Sequence, residues 1–471
     1  MKKIISLSLL LLCVQLLFSH PWKPSHYLII DTDGGMDDLK AINLLLASPD
    51  VRVLAITASG GVMPAEEAYL RVRGLLERYH HQGLLTGINR GSAYKEMTVP
   101  ISYQWAPQQG PDTADAPDAS EVISYVLKNE STPVSLISLS SLNTAFEYSE
   151  YDPTLFKKIK NIIWSNDAAE PLAGFNYELD TAAAHGILRE DIPLKLVGYH
   201  LRPVYNRSLL DKIAGINNPY AASTTELFNK ASDHDFIYGL VDDMIPLFLH
   251  YPLLFEADSI NNNTSFYDLA TDRIDDKMIY DILSGNTVNQ NQVFKEIPSD
   301  TSFYFPDLQE YIGDIIARNG KEEWEAGVLT NELHRHLGIY AIIGVKMGIR
   351  AREYFHTGVD ELYIQSAAGS VPPVSCMNDG LQVSTGATTG HGLIEVTDTL
   401  VSPTAAFTYM NRTIRLSLDE DIASEIKNEL QEINYIYGLD SNIYWELVRQ
   451  KAILYWKNLD RHEIFNITIC H

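Results

Sequence analysis

Four carboxylates stand within eight residues in the run Asp31, Thr32, Asp33, Gly34, Gly35, Met36, Asp37, Asp38. They follow directly on Tyr27 to Ile30, an apolar stretch of the kind that forms a buried strand. Gly34 and Gly35 let the backbone turn sharply, so Asp33 and the pair Asp37 and Asp38 can fold back around one point. Carboxylates held so close repel one another unless a cation sits among them. Hard oxygen donors on a turn suit Ca²⁺, which takes six to eight oxygens at roughly 2.3–2.6 Å and so needs further ligands from elsewhere in the chain. An EF-hand is excluded, because its loop of about twelve residues with a closing Glu is missing. Two other readings compete for the same residues. One is a helix N-terminus at which Asp37 and Asp38 merely complement the macrodipole. The other is a Mg²⁺ phosphatase turn, which also sets Asp-x-Asp after a first strand.

The elements around this turn read as an α/β domain. Strand-like Tyr27 to Ile30, Val51 to Thr57, Val134 to Leu139, Ile159 to Trp164 and Leu194 to Val197 are short, apolar and bounded by turn residues. Helix-like Asp38 to Ala47 and Glu66 to Tyr79 alternate with them. This rhythm predicts parallel βαβ units in an open, mostly parallel sheet whose ligand sites gather at the carboxyl ends of the strands.

The acidic turn resembles the Asp-Thr-Asp-Pro-Gly-x-Asp-Asp signature of the inosine/uridine-preferring nucleoside hydrolases, with Gly34 where proline is usual. Further markers follow in order. Val53 to Thr57 is similar to the family's second strand, and Leu136 to Ala145 to its Leu-Val-x-x-Gly-Pro-Leu-Thr-Asn segment. Gly174, Phe175, Asn176 and Asp180, followed by Ala182 and Ala183, resemble Glu-Phe-Asn-x-x-x-Asp-Pro-x-Ala-Ala. Val241 to Met244 occupies the place of a late His-Asp-Pro or Trp-Asp-Pro. The likeness spans about residues 26–260.

The resemblance implies a sheet of nucleoside hydrolase type and calcium held by Asp33, Asp38, Asp243 and the Leu139 carbonyl. It implies that Asp33 takes a proton from water, while Asp37 and Asn176 hold ribose hydroxyls. Val62 and Gly174 stand where the family has an Asn and a Glu that touch ribose. Asp242 replaces the His or Trp beside the last ligand, placing it at the substrate's base side, and over so short a match Asp242 and Asp243 can exchange roles. Among the aromatic residues, Trp105, Trp164 and Tyr177 can stack on a base or simply fill core.

Between Ser284 and Asp307 the sequence turns polar, and a domain boundary is expected there, giving a hydrolase-like domain at 22–300 and a second one at 307–471. The latter opens with helix-rich Leu308 to Phe355, passes through a Gly/Ser/Thr-rich stretch from Gly369 to Gly392, and ends in helical Leu418 to Leu459. His334 and His336 can act jointly only if they precede the following helix proper, in which Gly344 and Gly348 suggest close packing. With Cys376 they resemble the FmdE-like domain, named after a component of formylmethanofuran dehydrogenase, over about residues 325–412. Gly338 and Ala387 replace two of that family's cysteines, and His391 stands at a basic position. The resemblance implies a smaller α+β domain in which His334, His336 and Cys376 hold a transition metal such as Zn²⁺.

The apolar run Ile4 to Phe18 behind Lys2 and Lys3 reads as a signal peptide of residues 1–19, too short for a stable membrane span. An exported protein, periplasmic or extracellular, is expected. The formal charge of −25 becomes −27 without the two lysines, which disfavours nucleic acid as a partner. Cys376 and Cys470 permit a single bridge but no disulfide framework. The reading reached is an exported hydrolase of ribonucleosides or related ribosyl compounds with a small-molecule substrate, compatible with a homo-oligomer. A ligand-binding protein with a degenerate site and a metal-dependent phosphatase are its rivals.

Overall fold

The computed structural model describes residues 23–95, 113–198, 205–230, 241–270, 274–287, 293 and 296–470. The leader and Trp105 lie outside them. Among the described residues the first domain is built on ten strands: His26–Thr32 (β1), Val51–Ala58 (β2), Leu85–Ile88 (β3), Val134–Ser138 (β4), Ile159–Ser165 (β5), Ala168–Ala169 (β6), Leu172–Ala173 (β7), Leu194–Val197 (β8), Phe255–Ser259 (β9) and Thr264–Leu269 (β10). Eight form one sheet in the order β3-β2-β1-β4-β5-β8-β10-β9, parallel throughout except for the β9/β10 pair at the edge. β6 and β7 make a separate hairpin.

Helices cover both faces, which is why β2 and β4 are buried along their whole length and are mostly apolar, with Arg52, Thr57, Ser135 and Ser138 as their buried polar residues. The side chains of β1 alternate: Leu28 and Ile30 enter one core cluster, Tyr27 and Ile29 the other. The chain runs outward from β1 in one direction through β2 and β3, then returns to place β4 on the other side. The carboxyl ends of β1 and β4 therefore flank the point where strand order reverses, and a crevice opens there in open α/β sheets.

The first core extends to Leu283 and a second begins at Leu308. The second domain packs the helices Lys321–His334, Ile339–Phe355, Met377–Thr385, Glu420–Tyr437 and Asn442–Asn458 around a mixed sheet. Its strands are Tyr363–Ser366 (β11), Ile394–Val396 (β12), Thr404–Tyr409 (β13), Arg412–Leu418 (β14) and Phe465–Cys470 (β15), in the order β12-β11-β13-β14-β15. The Gly/Ser/Thr-rich stretch holds a helix, Met377–Thr385, that crosses Ile339–Phe355 almost backbone to backbone. A Cβ on Gly344 would lie 2.1 Å from the Met377 carbonyl, and one on Gly380 2.2 Å from that of Ala341. Cys376 and Cys470 are not bridged. Among the described residues no helix is long and apolar enough to cross a membrane.

The two domains meet at the amino ends of β1 and β2. Arg52, at the start of β2, pairs with Glu361 and donates to the His356 carbonyl (2.9 Å). The His356 ring in turn bonds the Leu46 carbonyl at 3.0 Å, and the Gly83 amide donates to the Tyr354 carbonyl at 2.8 Å.

Candidate active site

The acidic turn joins the carboxyl end of β1 to the helix Met36–Ala47. Gly34 adopts φ 75°, a left-handed conformation closed to proline, so a turn resembling the proline-bearing signature is built on a different backbone here. Gly35 leaves a cradle. A Cβ added to it would lie 2.9 Å from Asp37 Oδ1, 3.2 Å from Asp33 Oδ1 and 3.3 Å from Asp38 Oδ1, so three carboxylates surround one point.

Each is fixed from behind. Asp38 Oδ2 accepts from the Thr32 hydroxyl (2.5 Å) and the Asp33 amide (3.0 Å). Asp33 accepts from the Gly35 amide (3.0 Å) at Oδ1 and the Val62 amide (3.1 Å) at Oδ2. A Cβ on Gly61 would sit 2.0 Å from Asp33 Oδ2, so only a bare backbone passes there. Asp31, the fourth carboxylate of the run, takes no part in the cradle. It accepts from Thr57 (2.6 Å) and Ser59 (2.8 Å), bracing β1 against β2, and burial pushes it up to about 7.

The late pair of aspartates takes the exchanged arrangement that the short match left open. Asp242, not Asp243, converges with Asp37 and Asp38, their oxygens lying within 4.8 Å of one another. Ser165, at the end of β5, donates to Asp242 Oδ1. Asp243 instead accepts from Lys40 and from the Tyr205 hydroxyl (2.9 Å) at Oδ2. The two residues are adjacent on a turn and project apart, so one faces the cradle and the other the helix Met36–Ala47. Burial, followed by mutual repulsion, raises Asp33, Asp38 and Asp242 above the usual carboxylate range, and burial raises Asp37. Burial also draws Lys40 down to about 8 against the pull of Asp243.

The Leu139 carbonyl stands at the end of β4, on the far side of the strand-order reversal, with its own amide bonded to the Asp31 carbonyl (2.9 Å). Asn176 donates to it and to the Ser165 carbonyl, both at 2.9 Å. The expected ribose contact of Asn176 is thereby narrowed: its amide clasps two strand ends, leaving Oδ1 as the atom to meet a hydroxyl. Gly174, with φ 114°, caps the short helix Phe175–Leu179, and a Cβ there would approach Asp167 Cβ to 2.7 Å. A Glu does not fit this backbone. Val62 serves through its amide rather than its side chain. Trp164 is fully buried and donates to the Ser140 carbonyl (2.9 Å), so it is core. Tyr177 is partly exposed and meets His185 at 3.2 Å.

Several site residues escaped the sequence reading. Lys40 had a visible signal, as the single cation in the largely apolar helix stretch Leu39 to Leu46. Ser165, Tyr205 and Asn166 had none. Asn166 is fully buried, donates to the Ala168 (2.7 Å) and Ala173 (3.1 Å) carbonyls, and keeps Oδ1 without a partner.

In the second domain, His334 ends one helix and His336 precedes the next, as joint action requires, with Arg335 at φ 67° between them. Their rings lie 4.2 Å apart. Cys376 does not complete a set. Among the described residues the only three-residue group with metal-binding convergence is Asp37, Asp38 and Asp242. Asp379 takes His334 Nδ1 at 2.7 Å, and burial, with Asp379 nearby, pushes the Cys376 thiol up to about 11.

Residues 28–259 match the family described as inosine-uridine preferring nucleoside hydrolase, and residues 333–453 match the family described as FmdE, molybdenum formylmethanofuran dehydrogenase operon. Among curated proteins, the chain is 26% identical over 224 residues to the pyrimidine-specific ribonucleoside hydrolase RihA of Salmonella paratyphi A, covering 43% of this chain and 70% of that protein. The RihA of Klebsiella pneumoniae is likewise 26% identical, over 222 residues and the same shares. Of solved structures, a plant nucleoside hydrolase superposes with TM-score 0.45 at 18% identity, covering 56% of this chain and 99% of that one. A purine-preferring ribonucleoside hydrolase from Gardnerella vaginalis gives TM-score 0.42 at 14% identity, with 55% and 98% covered.

Proposed function

Residues 28–259 belong to the inosine-uridine preferring nucleoside hydrolase family, and from that premise we propose that this chain hydrolyses the N-glycosidic bond of ribonucleosides or related ribosyl compounds with a calcium-activated water. The observation that carries the reading is the cradle over Gly35, where the carboxylates of buried Asp33 and Asp38 and half-buried Asp37 surround one point and Asp242 joins from another loop. An all-oxygen donor set fits a hard divalent cation. Asp33, Asp38 and Asp242, with the Leu139 carbonyl, would hold calcium, which when bound acidifies water and orients vicinal hydroxyls.

Asp33 is held by two backbone amides at the rim of the cradle and accepts the proton of the attacking water. Asp37, the more open of the carboxylates, and the Oδ1 of Asn176 accept from ribose hydroxyls. The water oxygen then bonds to an anomeric carbon of oxocarbenium character as the C–N bond breaks, and the base leaves with that electron pair and takes up a proton from solvent. The RihA relatives support a ribonucleoside as substrate, and the apolar run Ile4 to Phe18 supports export.

The test is a panel of nucleosides scored for free reducing ribose, with protein dialysed against EDTA and then resupplied with Ca²⁺, Mg²⁺ or Zn²⁺. Ribose release restored best by Ca²⁺ is expected. Full activity in chelator would overturn the cation, and nucleoside binding without ribose release would make the chain a binding protein.

A further inference from the structure

Lys40 is fully buried one helical turn after Asp37, and its ammonium bonds Asp243 Oδ2. The nitrogen lies 3.8 Å from the centre of the Tyr205 ring, and Tyr205 donates to the same Asp243 oxygen while stacking on Phe228 at 4.5 Å. Asp243 itself is fully buried, and its second oxygen, Oδ1, has no partner. A carboxylate with one orphaned buried oxygen, next in sequence to a cradle carboxylate, is the group a divalent cation would recruit if it were free to turn.

We propose that Lys40 is a resident counter-cation that withholds Asp243 from the metal and so weakens the affinity of the cradle for divalent cations. The inference rests on the cation reading above. Two physical effects act in the same direction. The ammonium consumes a carboxylate that would otherwise add charge to the ligand set, and its positive charge, in a water-poor interior, repels a second cation nearby. The aromatic wall of Tyr205 and Phe228 holds the ammonium in place through the ring quadrupole, so it does not yield its position by swinging into solvent. The consequence is a site that fills only where calcium is abundant, as it is outside a cell and is not inside one.

Calorimetric titration of Ca²⁺ into the full chain and three variants tests this without any substrate. Lys40→Met is expected to bind at least tenfold more tightly than the parent. Asp243→Asn, which strands the ammonium, is expected to bind at least tenfold more weakly, and the double variant Lys40→Met/Asp243→Asn to return to within about threefold of the parent, since both charges leave together. The double variant also serves if Lys40→Met does not fold, because it leaves no buried charge unpaired. A double variant as weak as Asp243→Asn would make Asp243 a ligand and overturn the proposal, as would Lys40→Met binding no more tightly than the parent. If the parent binds no divalent cation at millimolar concentration, the cation reading itself falls and this one with it.

Discussion

In the proposed reaction Asp33 is the residue on which the chemistry turns, because it alone among the cradle carboxylates is held by amides from two separate loops, those of Gly35 and Val62. That fixes its oxygens without a side-chain partner that must move when a proton arrives. Asp33→Ala is expected to lower kcat by at least about 10², the usual range for loss of a general base, in nucleoside turnover assays with calcium saturating. An unchanged rate would move the base elsewhere. Asp242 is bound to the site through Ser165 and faces Asp37 and Asp38, so Asp242→Asn is expected to cost at least tenfold in calcium affinity by calorimetry. Retained affinity would assign the late ligand to another group.

At the scale of elements, the site depends on backbone conformations that the type of residue alone allows. Gly34 turns at φ 75° with its α-carbon facing Ala68, where an added Cβ would come within 2.8 Å of the Ala68 α-carbon. The related signature has proline at this position, yet Gly34→Pro is expected to destabilise this chain by about 1 to 3 kcal/mol and to abolish high-affinity calcium binding, because φ near −65° would rebuild the turn. Thermal melting beside calorimetry checks it, and a stable variant with an intact site would show that the turn tolerates both conformations. The clasp by Asn176 is of the same kind: one amide ties the ends of β4 and β5 together, so the Leu139 carbonyl and Asp242, through Ser165, are positioned by a single side chain.

The whole molecule separates the site from the second domain. Asp37 and Asp38 open the helix Met36–Ala47 and Leu46 closes it, about 12 Å further on, where the second domain docks. His336 packs on Trp445 within its own domain, so His336→Ala is expected to leave nucleoside turnover unchanged; a collapse of turnover would mean that the second domain reaches the base side of the site. The seam itself is built from histidines. His80 stacks on His462 at 3.6 Å and His81 faces His356 at 4.7 Å, along a cavity of about 770 Å³ that admits water. Burial holds His80 and His81 down to about 4, and His356 well below its ordinary value. The folded chain thus binds fewer protons there than the unfolded one. The stability is fully present above pH 6.5 and is lost as pH falls toward 4, by about 2 kcal/mol at pH 5 for His81 alone. The raised cradle carboxylates act with the opposite sign, so the comparison is made with calcium saturating. The fall in Tm between pH 7 and pH 5 is expected to shrink in His81→Gln, and an equal fall in both would remove the seam from the acid response.

The acidic turn, the strand and helix rhythm and the two-domain order were legible in the sequence because each is a local matter: carboxylate spacing around glycines, apolar runs with period-two or helical repeats, and a polar break near residue 300. The same locality explains where reading stopped. Asp242 and Asp243 are neighbours of one type on one turn, and only packing against Lys40 and Tyr205 decides which of them faces the cradle. Lys40 stands out in the sequence, but its partner lies 203 residues away. His334, His336 and Cys376 suggested a metal by type and order, whereas convergence of their atoms depends on how three helices cross. Residue type and spacing determined the chemistry available to this chain, and the tertiary structure decided which charges meet, because burial and long-range pairing set the cost of each buried charge.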